Sequence, residues 1–146
     1  MCSWRIKPHI SSVDQIRLIN RKQEIPHEGP YCDLMWSNPD NIEAWIISAR
    51  GAGYFFGWKV VNEFNRISGL ELICRAHQLV NEGYKYWFKD KNLVTVWSAP
   101  NYCYRCGNKA SILKLGPKLE RTFDMVEVNE KSDKAPRPKT FVPYFL

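Results

Sequence analysis

The sequence has little that would place the protein in a membrane or on a nucleic acid. No stretch approaches the ~20 consecutive apolar residues that cross a bilayer, and residues 1–10 lack the apolar region of a secretory signal. The net charge is +6, but the basic residues are scattered and form no dense run of Lys and Arg. We therefore expect no membrane and no nucleic-acid partner, and we interpret the charge as a mildly basic surface.

The cysteines are few and form no recognisable metal or redox framework. There are five, an odd number, which favours free thiols in a reducing compartment, so we expect a cytoplasmic or nuclear protein. Cys103 and Cys106 have C-x-x-C spacing, but a zinc site needs a second pair and a redox site needs a thioredoxin-like unit. Two packed thiols in a loop are the better interpretation, and a zinc or thiol protein ranks last among the functions considered.

An α/β (α+β) fold is expected for residues 1–128. With 146 residues and a hydrophobic content of 45%, the chain is long enough for one domain with a core. Residues 12–15 fit a capping box that begins one helix, and one-face apolar spacing over 60–67 predicts a second helix that ends at Gly69. Residues 26–41 are interpreted as a long loop that carries Trp36. A buried strand is predicted at 70–74, and further strands at 84–88, 93–97, 110–115 and 122–128.

Residues 129–146 are predicted to form an exposed tail. The segment 129–139 is charged and contains proline, which is typical of solvated chain. The last six residues, 141–146, become apolar again. An apolar end on a polar tail indicates that the tail docks against a partner.

Two residues could carry chemistry, although each signal alone is weak. Arg50 lies in the glycine-rich stretch 48–53, where the backbone can approach a ligand and a guanidinium can bind phosphate through two parallel hydrogen bonds. A structural or surface arginine is the commoner alternative. His77 follows a predicted strand, at a position where α/β folds place metal ligands and acid–base groups. The alternative for His77 is a hydrogen-bonded core histidine.

Read together, four segments resemble one known family. They are 32–39 (CDLMWSNP), 48–57 (SARGAGYFFG), 74–84 (CRAHQLVNEGY) and 98–108 (SAPNYCYRCGN). Their order and spacing resemble the phosphoprotein phosphatase family of serine/threonine phosphatases, from about Pro8 to Leu146. The Tyr-Arg-Cys triplet at 104–106 and the ending at 144–146 resemble its type-2A-like branch. Residues 95–97 (TVW) and 143–146 (PYFL) most resemble its type-six member. The resemblance implies part of a calcineurin-like metallophosphoesterase β-sandwich flanked by helices.

The resemblance also implies roles for four residues of this sequence. The position of His77 is a metal ligand, and that of Arg50 binds the phosphate of the substrate. Tyr102 lies in a loop over the metal site and contacts substrates. Leu146 matches a C-terminal leucine whose carboxylate is methylated and whose tail contacts regulatory and scaffold subunits. The implied cofactors are two divalent metal ions, Mn or Fe/Zn, which hold the water that attacks a phosphoprotein substrate.

The sequence departs from the family in the motifs that supply most of the metal ligands. The signatures GDxHG, GDxVDRG and GNHE do not occur, and residues 1–7 diverge where a further ligating His is expected. Since a two-metal site needs about six protein ligands, we expect that the N-terminal half is missing. We also expect at most weak metal binding and no phosphatase activity from this chain alone. Apolar faces are then expected to lie uncovered, which favours aggregation.

Two smaller departures lie within the matching segments. Ala49 stands where the family has proline and is expected to loosen the loop of Arg50, whereas Asn38 stands for aspartate and is expected to matter little. Two functions remain open: a partial chain of a full-length serine/threonine phosphatase, or a non-catalytic fragment that binds regulatory and scaffold subunits through its tail.

Overall fold

We describe the fold from a computed structural model in which residues 8–127 are described. The divergent segment 1–7, the tail 129–146 and its last residue Leu146 lie outside these residues. The elements, in chain order, are α1 Val13–Arg17, α2 Pro30–Trp36, β1 Asn38–Pro39, β2 Trp45–Ile47, β3 Tyr54–Phe56, α3 Trp58–Ser68, β4 Ile73–Arg75, β5 Tyr84–Tyr86, β6 Leu93–Val96, a 3-10 turn Tyr102–Tyr104, β7 Ala110–Leu115 and β8 Arg121–Val126. This mixture of helices and strands confirms the expected fold class.

Two three-stranded sheets share the same plan. In the first, with order β1-β3-β2, β1 runs parallel to β3 and β2 runs antiparallel to it. In the second, with order β4-β6-β5, β4 runs parallel to β6 and β5 runs antiparallel to it. Parallel strands end at the same edge of a sheet. The residues that follow β4 and β6 are therefore neighbours.

Helix α3 packs over both sheets and forms the centre of the core. Its Val61 contacts Leu93 of β6 and Phe88 in the turn between β5 and β6. Phe56 of β3 packs against the same cluster. Burying side chains of this size stabilises the fold by roughly 1.5–3 kcal/mol each. The helix ends at Gly69, which has the left-handed conformation, so the predicted helix and its end are confirmed.

The β7–β8 hairpin is attached to the second sheet through Ser111. The backbone N–H of Ser111 donates to the carbonyl of Trp97 at 2.7 Å, and its buried hydroxyl donates to the carbonyl of Gly83 at 2.7 Å. The rings of Tyr84 and Phe123 stack with their centroids 3.7 Å apart, which joins β5 to β8. The strands predicted at 84–88, 93–97, 110–115 and 122–128 correspond to β5, β6, β7 and β8 and are confirmed. In the structure β5 pairs with β6 and β7 pairs with β8, both antiparallel.

Several local predictions were wrong. The segment interpreted as a loop contains α2, because Pro30 occupies the first helical turn, where a missing N–H costs nothing. Ser12 makes no side-chain cap on α1; instead Ser11 donates to the side chain of Gln15. The strand predicted to be buried is the edge strand β4, with Cys74 exposed. The short strands β1, β2 and β3 were not predicted.

Large apolar side chains remain exposed on several elements. Ile46 and Ile47 of β2 are 53% and 60% exposed, and Ile112 and Leu115 of β7 are 52% and 55% exposed. The expected uncovered apolar faces are therefore present, and the aggregation they favour stays a prediction. Within residues 8–127, no helix has the length and apolar character needed to cross a membrane.

Candidate active site

One edge of the second sheet brings together two of the segments singled out in the sequence. Arg75 in β4 is paired with Thr95 in the parallel strand β6. His77 follows two residues after β4, and the loop 98–108 follows β6 at the same edge. The sheet plan therefore brings His77 and the loop that contains Tyr102 to one side of the molecule.

The loop of Arg50 lies at the end of the first sheet where β1 and β3 begin. It connects β2 to β3, and Gly53 ends it next to the backbone of Trp36. The approach is so close that a Cβ atom on Gly53 would lie 2.6 Å from the carbonyl carbon of Trp36. The hydroxyl of Ser37 accepts a hydrogen bond from the N–H of Tyr54 at 3.0 Å, which fixes the start of β1 beside the start of β3.

Trp36 connects this loop to the edge of the second sheet. Its ring meets the imidazole of His77 edge to face, with the centroids 6.4 Å apart. One tryptophan thus contacts the end of the Arg50 loop through its backbone and His77 through its ring. The Arg50 loop, Trp36 and His77 therefore form one continuous region. We call this region, together with the loop 98–108, the site edge.

A direct contact joins the two sheets near this region. The guanidinium of Arg75 donates to the side-chain oxygen of Asn38 at 2.8 Å. It also donates to Gln78 at 3.2 Å and to the buried hydroxyl of Thr95 at 3.3 Å. All three acceptors are neutral, and no carboxylate pairs with Arg75 within residues 8–127. Burial lowers the pKa of Arg75 to about 10, so it remains charged at neutral pH.

The Arg50 loop is held mainly by Ser48. Its buried hydroxyl accepts the N–H of Arg50 at 3.3 Å, while its backbone pairs with Gly51 and Gly53. Both glycines have left-handed backbone, with φ values of 85° and 69°. The side chain of Arg50 is exposed. Because the backbone is fixed and the guanidinium faces solvent, Arg50 is available to bind an anion.

His77 has a backbone conformation that is unusual for its residue type. Its φ is 74°, in the left-handed region, and its side chain is exposed. Such a conformation costs roughly 1–3 kcal/mol for a residue other than glycine and is concentrated at functional sites. An exposed imidazole does not fit the alternative of a buried core histidine.

The Tyr102 loop is the most tightly hydrogen-bonded part of the site edge. Tyr102 is half-buried, and its ring packs edge to face against Trp97, with centroids 5.0 Å apart. Its N–H donates to the side-chain oxygen of Asn108 at 2.8 Å. Tyr102 is therefore held both through its ring and through its backbone.

One carboxylate close to this region is buried with little compensation. Asp33 in α2 has a side-chain oxygen without a hydrogen-bond partner, and the Nδ1 atom of His9 lies 3.6 Å from it. Burial raises the pKa of Asp33 above its ordinary value, and His9 offsets part of this rise. Asp33 in turn contributes to the raised pKa values of Cys32 and Tyr54, behind desolvation as the main cause.

The described residues do not by themselves fit a two-metal centre. Within residues 8–127, no three side chains of His, Cys, Asp or Glu come together in a way that could hold a metal ion. His77 offers one imidazole, whereas two hydrolytic metals need about six protein ligands. The expectation of at most weak metal binding stays a prediction.

The thiols do not form the packed pair expected from the sequence. Cys103 and Cys106 are both free and exposed. The prediction of two packed thiols was therefore wrong, because the loop turns both residues outward through the left-handed backbone at Cys103.

Sequence reasoning missed three residues of the site edge. Trp36 and Arg75 were quoted only as parts of motifs, and Asn108 was given no role. The contacts of Trp36 with His77 and of Arg75 with Asn38 join residues that are distant in sequence, so only the fold reveals them. Asn108 bonds within its own loop, where an asparagine among turn-forming residues was the available signal.

Comparisons with known proteins identify the family and relatives of the chain. Residues 3–81 match the family model described as calcineurin-like phosphoesterase. The chain is 58% identical over 133 residues to serine/threonine-protein phosphatase ppe1 of Schizosaccharomyces pombe, covering 91% of this chain and 44% of that protein. It is 62% identical over 118 residues to serine/threonine-protein phosphatase PP1-1 of Saccharomyces cerevisiae, covering 81% and 38%.

A solved structure shares the fold. It is a protein serine/threonine phosphatase from Saccharomyces cerevisiae, described as similar to human phosphatase PP5, with a TM-score of 0.73 and 25% sequence identity. The match covers 82% of this chain and 40% of that one. The chain thus spans about two fifths of the length of the relatives that it matches. The family and fold implied by the sequence motifs are confirmed.

Proposed function

Because the chain belongs to the calcineurin-like phosphoesterase family, we propose that it acts in serine/threonine protein dephosphorylation and that the site edge is its share of the active site. The observation that carries this proposal is the position of Trp36. It contacts the Arg50 loop on one side and His77 on the other. This contact supports the proposal that Arg50, as the phosphate-binding cation, and His77, as a metal ligand, act at one region of the surface.

Each residue of the site edge has a chemical role in this proposal. The exposed guanidinium of Arg50 binds two phosphate oxygens through parallel N–H groups and stabilises the charge that develops on them. His77 serves as one metal ligand, with its exposed imidazole nitrogens available. Tyr102 lies at the rim, where its hydroxyl and ring contact the phosphoprotein substrate. The cofactors proposed are two divalent ions, either Mn or Fe with Zn.

The chain alone is proposed to be inactive. One imidazole cannot hold two metals, so the ligands that complete the centre must come from residues other than 8–127. We expect no turnover of a phosphoserine peptide by the purified chain with Mn²⁺ above the rate of a metal-only blank. Turnover by the chain alone would contradict this part of the proposal.

A chimera tests the site edge directly. Residues 8–127 replace the corresponding residues of ppe1, which is 58% identical over the matched region. We expect the chimera to dephosphorylate a phosphoserine peptide and Arg50→Ala to reduce kcat/KM about 100-fold or more. Arg50→Lys keeps the charge but cannot donate two parallel hydrogen bonds to phosphate, so we expect an intermediate reduction in kcat/KM.

The matched control is Arg17→Ala. Arg17 is an exposed arginine in α1 that pairs with Asp14 at 2.9 Å. Its removal should leave kcat/KM within about twofold, since exposed ion pairs contribute little. A folded chimera in which Arg50→Ala behaves like Arg17→Ala would overturn the proposal.

Partner binding is proposed for the tail. The apolar residues at 141–146, after a charged segment, support docking to regulatory and scaffold subunits, with methylation of the Leu146 carboxylate as the proposed modification. A pull-down with purified subunits should retain the chain and should lose it when residues 144–146 are deleted. Equal retention of both forms would contradict tail-mediated binding.

A further inference from the structure

The Tyr102 loop contains backbone conformations that its residues do not favour. Asn101, Cys103 and Tyr104 have φ values of 43°, 55° and 59°. Asparagine tolerates the left-handed region, but Cys103 and Tyr104 each cost roughly 1–2 kcal/mol there. Other interactions in the structure must therefore offset about 2–4 kcal/mol of strain in two consecutive residues.

Asn108 is the residue that does so. It is only 3% exposed, and its side-chain oxygen, side-chain nitrogen and backbone carbonyl are all hydrogen-bonded. Its side-chain oxygen accepts the N–H of Tyr102 at 2.8 Å, and its side-chain nitrogen donates to the carbonyls of Ala99 and Lys109, both at 2.9 Å. Its backbone carbonyl accepts the N–H of Asn101 at 2.9 Å. Asn108 thus forms hydrogen bonds with Tyr102 and with residues on both sides of it in the sequence.

An amide side chain is required at this position. One atom must accept from an N–H while its neighbour donates to two carbonyls, and only Asn among residues of this size does both. Aspartate would place a second acceptor against those two carbonyls. Alanine would leave the N–H of Tyr102 and the carbonyl of Ala99 with one partner fewer in a buried setting, which is costly.

The same network reaches Trp97. The indole N–H of Trp97 donates to the carbonyl of Ala99 at 2.7 Å, so Asn108 and Trp97 share one acceptor. The Trp97 ring is also the surface against which the Tyr102 ring packs. Asn108 fixes the backbone of Tyr102 and, through Ala99, the aromatic ring beside it.

We propose that Asn108 is a positioning residue that sets the Tyr102 ring against Trp97 by holding the strained segment 101–104. The positioning itself is a property of this chain. Its importance at the rim of the site rests on the proposed function.

Two variants of the full chain test the proposal. Asn108→Ala removes all three side-chain hydrogen bonds, and Asn108→Asp keeps the shape but loses the donor. The first readout is the aromatic NMR spectrum of Trp97, assigned with Trp97→Phe. Tyr102→Leu shows where the Trp97 resonances lie when the tyrosine ring is absent. We expect both Asn108 variants to move these resonances toward the Tyr102→Leu positions.

The second readout is trypsin cleavage after Arg105, which lies inside the loop. Under native conditions we expect the cleavage rate to rise about tenfold or more in both variants, because the loop opens locally. The matched control is Asn65→Ala in α3. Asn65 is 5% exposed and donates to the carbonyl of Asn92 at 3.2 Å, so this change removes a buried amide outside the loop.

The outcomes are distinct. Trp97 resonances and Arg105 cleavage that change in the Asn108 variants but not in Asn65→Ala support the proposal. Equal changes in all three variants, unchanged Trp97 resonances, or global unfolding of both Asn108 variants would overturn it, since Asn108 would then have no specific effect on Tyr102. Neither readout uses phosphatase turnover, so a failure of the proposed function leaves this result unaffected.

Discussion

The two loops of the site edge reach left-handed backbone conformations by different means. In the Arg50 loop the left-handed positions are Gly51 and Gly53, which adopt them without a Cβ penalty. In the Tyr102 loop Asn101 and Gly107 tolerate this conformation, but Cys103 and Tyr104 incur the penalty. The first loop therefore reaches its geometry through glycine alone, whereas the second also depends on the hydrogen bonds of the buried amide of Asn108.

This difference determines where each loop is vulnerable. The Arg50 loop should lose stability when one of its glycines gains a side chain. The Tyr102 loop should lose stability when the side-chain amide of Asn108 is removed. A strained loop should also gain stability when its strain is relieved. These consequences can be measured in order of decreasing effect.

The largest effect is expected for Gly53→Ala. The new Cβ would combine left-handed strain with a backbone atom of Trp36 at 2.6 Å, so we expect a loss of about 2–4 kcal/mol in the free energy of unfolding. Urea denaturation followed by circular dichroism measures it. Gly51→Ala is the control, because its Cβ would meet no atom within 4 Å, and we expect a loss of only about 1 kcal/mol there. Equal losses would show that the contact with Trp36 is unimportant.

The second effect concerns the link between the two sheets. Asn38→Asp would give Arg75 a carboxylate in place of a neutral oxygen 2.8 Å away, and charge-assisted hydrogen bonds are roughly twice as strong as neutral ones. We expect the free energy of unfolding at pH 7 to rise by about 1–2 kcal/mol. Asn41→Asp, at an exposed position of the same chain segment, controls for adding one negative charge. A gain no larger than that of the control would contradict this role for Arg75.

A smaller gain is expected for Tyr104→Gly. The Tyr104 side chain is 66% exposed and its φ is 59°, so the substitution relieves strain with little loss of packing. The added freedom of the unfolded chain offsets part of this relief, and the net gain should be about 0.5 kcal/mol. Tyr104→Ala removes the same ring but retains the Cβ atom. If alanine stabilises as much as glycine, the loop is not strained at this position.

An effect of similar size that depends on pH is expected at Asp33. Because burial raises the pKa of Asp33 in the folded state, the fold favours its protonated form, and its ionisation costs stability at neutral pH. We expect Asp33→Asn to increase stability by about 0.5 kcal/mol at pH 7. The gain should shrink as pH falls through the folded pKa and vanish below the unfolded value of about 3.9. Thermal melts from pH 3 to pH 8 test this, with Asp14→Asn, in an exposed ion pair, as the control. A gain that is independent of pH would contradict the assignment.

Much of the fold could be predicted from local pattern. The helix that ends at Gly69 and the strands β5 to β8 have the residue patterns that define them. The pairing of β7 with β8 was not predicted and is seen only in the fold. Strands β1, β2 and β3 contain only two or three residues each, too few to show a period. Helix α2 was missed because Pro30 was interpreted as a sign of loop rather than as the first residue of a helix.

The site could be located from motifs but not assembled from them. Arg50, His77 and Tyr102 were identified as candidates, and their roles stay predictions. The contacts that place them together pass through Trp36 and Asn108, whose importance depends on tertiary packing. Asn38 was expected to matter little, yet it is buried and contacts the guanidinium of Arg75. A local pattern carries no information about such long-range contacts.

A crystal structure of the ppe1 chimera with Mn²⁺ and phosphate tests the central claim most directly. We expect the guanidinium of Arg50 on the phosphate oxygens and a nitrogen of His77 within about 2.0–2.3 Å of a metal located by its anomalous signal. If phosphate and metal are bound while Arg50 and His77 lie on separate surfaces, the proposed site is contradicted.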